Sequence, residues 1–492
     1  MRTISWLGPA LLVVAAVRLH GLSAAALPDY DSVRNWQIVR EVAAGNLSNL
    51  FHHGSPGFSL LYAPVAWFTT SFHVFQYLNA LVAVAAVGWL AVFIRREAAL
   101  PALEAGLLTV LMGTSVFLTF SGRDFTMSSW SLLAFTGLLQ AYYQRLRAPS
   151  QAALLRSVAW VAAGLSINYK FLLILPILAV FELWQRDGQL WQRGSWWRVG
   201  LILLLPYVVL GAVGVAGGLP WHRWPAVYYN IINPGAANPA GRIDKVQLDL
   251  LYYPRFLWDF ESPLVLATLV AVPLLWRREL LGNLRRINLV RYLAGWAYAF
   301  LAGMSLLLKA PRGLLLVYAL FWVLAFLSVR RLVPGRGLLI VVLGAILLNV
   351  IRVQREIYAY TPSSYPRVAT WLREQGATGV VSTVGQGAAP FLEPGTRLAV
   401  VLDERQLPAL ARQGYDYVLL DNYWHVTNVA RFDSLRREPP LKVWPEPMLT
   451  SPLLYLEHSE FTGLSYRATL SRQRAASRDP FQLQLYRLPR TR

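Results

Sequence analysis

The sequence predicts a polytopic α-helical membrane protein of about eleven transmembrane helices, closed by a soluble C-terminal α/β domain on the outer side. Three observations carry that prediction: the composition, the placement of the arginines, and a change of pattern after residue 351. Of 492 residues, 55% are hydrophobic and only 15% charged, with mean hydropathy +0.40. A soluble chain carries about a quarter charged residues. The net charge is +20, but the basic residues of the first 350 positions fall in short clusters between apolar runs, as flanks of membrane helices do. A nucleic-acid binder gathers them on one folded face, so nucleic acid is not an expected partner. There is no cysteine, which excludes a disulfide framework, thiolate chemistry and any cysteine-ligated metal.

A helix needs ~20 mostly apolar residues to cross the bilayer core. Eleven stretches qualify, near 4–19, 74–94, 100–120, 127–143, 152–167, 170–184, 198–217, 262–276, 290–308, 313–329 and 337–351. The first reads as an uncleaved span, although Ser23–Ala26 has the small-residue look of a signal cleavage site. Arginine clusters at 95–96, 145–156, 186–198, 277–291 and 330–336 fall on alternate connections. All five can therefore be cytoplasmic at once. This puts the N-terminus inside the cell inner (plasma) membrane and residues 352–492 in the extracytoplasmic or periplasmic space. The outward segments are then 20–73, 121–126, 168–170, 218–261 and 309–312, ahead of the C-terminal portion.

Charge is scarce, so its position is informative. Eight of the thirteen acidic residues in the first 350 positions lie in these outward segments. Of only four lysines, Lys170 and Lys309 stand at outward helix ends, against the positive-inside bias. Asp31 opens a helical pattern in which Val33, Trp36, Val39 and Val42 share a face, as in a helix lying on a membrane surface. It serves equally well as a plain N-cap. Gly45 is expected to end that helix, and Pro56-Gly57 to turn the chain into the second span. Arg123-Asp124 follows the third span, where a helix-capping ion pair is the plainer reading. Lys170, Lys309 and Arg312 are suited to phosphate oxygens, with simple snorkelling as the competing account. His52-His53 has no accompanying metal-ligand spacing, and Asp29-Tyr30-Asp31 has a D-x-D look that chance often supplies. A divalent metal is not favoured. Trp221, Trp224, Tyr228 and Tyr229 suit an interfacial belt or a substrate wall.

In the C-terminal portion, helices at 364–375 and 404–413 alternate with strands at 379–384, 397–402 and 415–420, a small α/β pattern. After Asp421 the pattern weakens to irregular structure and a late strand at 482–488. The Gly-x-Gly of "VVSTVGQGAAP" reads as a tight turn and not as a nucleotide loop.

Over roughly residues 20–330 these motifs, in this order, resemble the GT-C membrane glycosyltransferases, nearest the protein O-mannosyltransferase and aminoarabinose-transferase branch. The features are the long first outward loop with Asp31, Gly45 and "SPGFSLLYAPVAWF"; "GRDF"; "AAGLSINYKFLLILP"; and "LKAPRGLLLVYALFWVLAF". The chain departs from that pattern at Ser32, at Ser55-Pro56-Gly57 and at Gly313, where the family has an acidic residue, a double proline and a tyrosine. The resemblance implies inverting transfer of a sugar from a polyprenyl-phosphate donor to a lipid, glycan or protein acceptor, without nucleotide. It implies Asp31 as general base and Asp124 in support, with Arg123, Lys170, Lys309, Arg312 and His53 as substrate- or phosphate-binding residues. A flippase for lipid-linked saccharide, or a non-catalytic scaffold, are the competing expectations. Loss of activity in Asp31→Ala separates the transferase from both.

Overall fold

A computed structural model describes residues 6–27, 30–185, 190, 192–232, 248–282, 287–307, 309–383, 386–421, 423–427, 431–478 and 482–488. Met1-Arg2, Asp29, Arg186, Asp244, Arg285-Arg286 and the tip of the Gly-x-Gly turn lie outside the described residues.

Each of the eleven apolar stretches forms helix. The first eight helices are α1 (Leu7–Leu19), α2 (Tyr30–Ala43), α3 (Pro56–Ala66), α4 (Phe72–Glu97), α5 (Ala102–Gly113), α6 (Val116–Gly122), α7 (Ser128–Arg147) and α8 (Gln151–Ile167). Helices Ile174–Gln185, Arg193–Ala216, Pro263–Leu275, Leu289–Met304, Tyr318–Leu332 and Arg336–Glu356 complete the bundle. Among the described residues, four helices are long and apolar enough to cross a membrane, or five if the bent pair α5–α6 counts as one span.

That pair corrects one expectation. The 100–120 stretch is not one straight span but breaks by 65° at Thr114-Ser115. The cause is distant in sequence. The buried Glu261 carboxylate accepts from the Phe117 backbone N–H at 2.7 Å, from the Ser115 hydroxyl at 3.0 Å and from the Trp322 indole at 3.2 Å. It caps α6 as an independent helix, satisfying amides that a break leaves open. The buried Arg18 guanidinium at the end of α1 donates to the Leu118 carbonyl. Gly122 makes room for it, since a Cβ there would meet Arg18 Nη1 at 2.4 Å.

The arginine clusters share one end of the bundle. Arg147 pairs with Glu97 (2.5 Å), Arg145 with Glu182 (2.7 Å), Arg330 with Glu104 (2.7 Å) and Arg331 with Glu279 (2.5 Å). These four pairs, with the Gln151 amide donating to the Gly194 carbonyl at 3.3 Å, draw the described parts of the five clusters together.

The C-terminal portion holds one five-stranded sheet, ordered β2-β1-β3-β5-β4. Its strands are β1 (Gly379–Ser382), β2 (Arg397–Val400), β3 (Tyr417–Leu420), β4 (Lys442–Pro445) and β5 (Gln482–Arg487). β1 pairs parallel with β2 and β3, while β5 runs antiparallel to β3 and β4. β1 and β3 are buried throughout, as parallel strands covered on both faces must be. Val380 and Leu419 face one core, Val381 and Val418 the other. The region read as irregular contains β4 and helices Pro452–Glu457 and Tyr466–Arg478.

Within this portion Glu446 is buried, accepting from the Ser364 N–H (2.7 Å) and the Ser363 hydroxyl (3.2 Å). Burial pushes its carboxyl up to about 7, aided by Asp421 and opposed by those bonds and by Arg367. The folded chain thus holds a proton that the unfolded chain has released, so this contribution is full below the ordinary carboxylate range and is lost as pH rises through about 7. Thermal unfolding of the detergent-solubilised chain should show a falling midpoint from about pH 5 to about pH 8. Glu446→Gln should flatten that slope, and an unchanged slope would show that another group sets it.

Candidate active site

At the end of the bundle opposite the arginine belt, four segments converge around Arg312. Arg312 sits in a short 3-10 turn, Pro311–Leu314, after the helix that ends at Met304. Its backbone is fixed from several sides. The Tyr253 hydroxyl donates to the Ala310 carbonyl (3.2 Å), the Tyr318 hydroxyl to that of Pro311 (3.1 Å), and the Ser459 hydroxyl to that of Lys309 (2.6 Å). Gly313, where the resembled family has tyrosine, is explained by this packing. A Cβ there would meet Met304 at 2.6 Å and the Tyr253 hydroxyl at 2.7 Å.

The Arg312 side chain is about one-fifth exposed and meets three carboxylates. Nη1 lies 3.4 Å from Asp31, Nε lies 3.7 Å from Glu457, and Nη2 is bonded to Glu460. The Arg312 backbone N–H also donates to Glu457 at 2.8 Å. Lys170 completes the cluster, its ammonium donating to the Arg312 carbonyl at 3.3 Å. It is placed by Asn168, which ends α8, accepts from the Lys170 N–H (3.0 Å) and donates to Ser131 (3.0 Å).

Burial pulls the Lys170 ammonium down to about 8; the Arg312 charge adds to this, and Glu457, Glu460 and Asp31 oppose it. Burial pushes Glu457 up to about 7 despite Arg312 and Lys170. For Glu460, burial works upward as well, but Arg312 and Lys170 prevail and hold it below the usual carboxylate range.

Asp31 lies in the first turn of α2, its side chain 37% exposed toward this cluster. α2 is more enclosed than a helix lying on a membrane surface. Val33, Trp36 and Val39 enter one core, Ile38 and Val42 a second, and Gln37 donates to Gln386 beyond β1 at 3.3 Å. Gly45, at φ +82°, closes the helix as expected, with its N–H on the Val42 carbonyl and that of Asn46 on Glu41.

The other expected site residues lie elsewhere. Arg123 ties the membrane bundle together: its guanidinium donates to the carbonyls of Arg18 (2.8 Å) and His20 (2.6 Å) and to Thr361 (3.3 Å). Asp124 is buried, accepts from the Phe125 N–H at 2.7 Å, and lines a half-open cleft with Gln76, Glu356, Tyr360 and Ser451. Its segment touches α2, because Asn35 donates to the Phe125 carbonyl at 3.2 Å. The Lys309 ammonium turns back to the Leu307 carbonyl. His52 and His53 meet edge to face at 4.6 Å. Burial brings His52 down to about 4, helped by the positive surroundings of His53, Arg34 and Arg223. Among the described residues no group of three or more His, Asp and Glu side chains is arranged to hold a metal ion. Of the four outward aromatics, Trp224 and Tyr228 are buried, donating to the Gly54 and Leu165 carbonyls, whereas Trp221 and Tyr229 are exposed.

Glu457, Ser459 and Glu460 escaped sequence reasoning. The available signal was a pair of acids three residues apart after the apolar run "SPLLYL", a spacing that puts both on one helical face.

The helix bundle with its appended sheet shares its fold with solved structures. ArnT from Cupriavidus metallidurans in the apo state is similar at 15% identity and TM-score 0.57, over 91% of this chain and 96% of its own. The same protein bound to undecaprenyl phosphate gives 14%, 0.54, 90% and 96%. The archaeal oligosaccharyltransferase AglB from Archaeoglobus fulgidus, solved with an inhibitory peptide and a dolichol-phosphate, gives 13%, 0.53, 86% and 70%. No protein-family model matches the chain, and no curated protein does.

Gly313→Ala should cost about 1–3 kcal/mol, the usual range for overpacking a filled site, by displacing Met304 and Tyr253. A thermal midpoint equal to the parent would show that the 309–314 loop yields easily.

Proposed function

We propose that this chain is an inverting glycosyltransferase that moves a monosaccharide from a polyprenyl-phosphate donor to a lipid, glycan or protein acceptor. The observation that supports this most is the convergence of Asp31 with Arg312 and Lys170 in one partly exposed site. A carboxylate beside two cations suits a displacement in which a proton leaves the nucleophile while negative charge builds on a phosphate. In the proposed step, the acceptor's oxygen attacks the anomeric carbon on the face opposite the phosphate. Asp31 takes the acceptor's proton, and the bond from the anomeric carbon to the phosphate oxygen breaks. The lipid phosphate departs with the electron pair, its charge offset by Arg312 and Lys170. Arg312 suits this role because its planar fork fits two phosphate oxygens, whereas Lys170 acts as a point charge.

In this reading Asp124 orients the acceptor from the neighbouring cleft. Arg123, Lys309 and His53 contribute at the edges of the substrate path. The proposed membrane domain spans residues 1–351, with 352–492 as an extracytoplasmic domain above it. The arginine belt then faces the cytoplasm of a cell inner membrane, as the positive-inside bias requires. Two of the structural neighbours hold a polyprenyl phosphate, which supports a lipid-linked donor here.

The test is transfer of radiolabelled sugar from polyprenyl-phosphate donors in membranes holding matched amounts of wild type, Asp31→Ala, Arg312→Ala and Asp124→Ala. Loss of the base should lower transfer by ~10²–10⁴-fold, and loss of the guanidinium by ~10²–10³-fold. Transfer retained in Asp31→Ala would sink the assignment of the base. Wild-type membranes inactive toward every lipid-linked donor and acceptor class would favour the transport or scaffold readings.

A further inference from the structure

As it stands, Arg312 has a carboxylate beside each of its three nitrogens. A guanidinium presents three nitrogens in one plane and recognises phosphate by aiming two of them at two oxygens. Here each of the three faces a carboxylate: Nη1 faces Asp31, Nε faces Glu457 and Nη2 faces Glu460. Two of the three acids come from one short segment of the C-terminal portion, helix Pro452–Glu457 and the turn Ser459–Thr462. That segment is seated firmly on the membrane bundle. Ser459 donates to the Lys309 carbonyl and accepts from the Tyr252 hydroxyl at 3.1 Å. Gly463, at φ +65°, ends it.

Resting on the transferase reading, we propose that Glu457 and Glu460 are exchange residues. They occupy Arg312 when no lipid phosphate is bound, give it up as the donor enters, and retake it to expel the lipid phosphate after transfer. The chemistry favours the second exchange. The donor is a phosphodiester with one negative charge, whereas the leaving lipid phosphate is a monoester approaching two. Without competitors, Arg312 and Lys170 together would hold the product more tightly than the substrate, and release would limit turnover. Two carboxylates tethered beside the guanidinium compete at high effective concentration. Toward the guanidinium Glu457 is the looser of the two, at 3.7 Å through Nε, while its other oxygen keeps the Arg312 backbone N–H at 2.8 Å. Burial raises its proton affinity against the pull of Arg312, Lys170 and His458, so its ionised form is held less firmly than that of Glu460.

The experiment uses the full chain in phospholipid nanodiscs, comparing wild type with Glu457→Gln/Glu460→Gln. The probe is a polyprenyl phosphate without sugar, with the matching polyprenol as control. The double variant should bind the phosphate about tenfold tighter, with polyprenol binding unchanged. With a transferable donor, its later turnovers should slow relative to its own first turnover, more than they do in wild type. In wild type, adding polyprenyl phosphate should speed hydrogen exchange of the amides at 457–463, a readout that needs no substitution. Unchanged or weaker binding by the double variant, or no gain in exchange in wild type, overturns the proposal. If transfer proceeds normally while affinities stay equal, the exchange falls and the transferase reading stands. If affinity tightens but no sugar is transferred from any lipid-linked donor, the anion exchange stands and the transferase reading falls. Failure of both proteins to prefer phosphate over polyprenol defeats both.

Discussion

The site depends on one guanidinium that must be kept charged, oriented and away from bulk water. Burying a cation costs several kcal/mol unless it is paired and hydrogen-bonded. Arg312 meets that requirement by drawing one carboxylate from α2 and two from the C-terminal portion. In doing so it fastens three otherwise separate parts of the chain. The neighbouring carbonyls at Lys309, Ala310 and Pro311 are each held by a hydroxyl from another segment. The turn carrying the guanidinium is therefore shaped by Tyr253, Tyr318 and Ser459 more than by its own sequence.

Much of this was legible in the residues. Every apolar stretch is helical, one of them as the bent pair α5–α6, because a long run without polar interruption has few other ways to satisfy its backbone in lipid. The small α/β pattern was visible in the alternation of helical and strand-like runs between residues 364 and 420. Asp31, Lys170 and Arg312 stood out because charge is rare in this chain, and the structure brings those three together. Sequence could not say where a side chain turns. Lys309 and Arg312 are one turn apart, yet one ammonium folds back on its own backbone while the guanidinium reaches α2. Arg123 and Asp124 are adjacent, yet one holds the end of α1 and the other faces a cleft.

What escaped notice was non-local. The break between α5 and α6 lies in an apolar run that looks continuous, and its cause, Glu261, is 144 residues from the amide it caps. Glu457 and Glu460 lie where no periodicity marked an element. Their importance comes from what they meet, and that partner stands 145 residues earlier. Polar groups buried by tertiary contact are set by topology, so local patterning records them weakly.

The belt of ion pairs at the other end of the bundle bears on how such a chain is made. Glu97 and Glu104 lie in an early connection, while the partners of Glu104 and Glu279 are Arg330 and Arg331, near the last helices. A chain threaded from its N-terminus therefore exposes Glu104 for some two hundred residues of synthesis before its counterion exists. At a watery margin that wait costs little, since an exposed ion pair is worth about 0–1 kcal/mol. Arg330 and Arg331 then arrive to find their acids already stationed, whereas Arg145 precedes its partner Glu182. The last helices are in this way guided into a bundle whose address labels were written before they emerged.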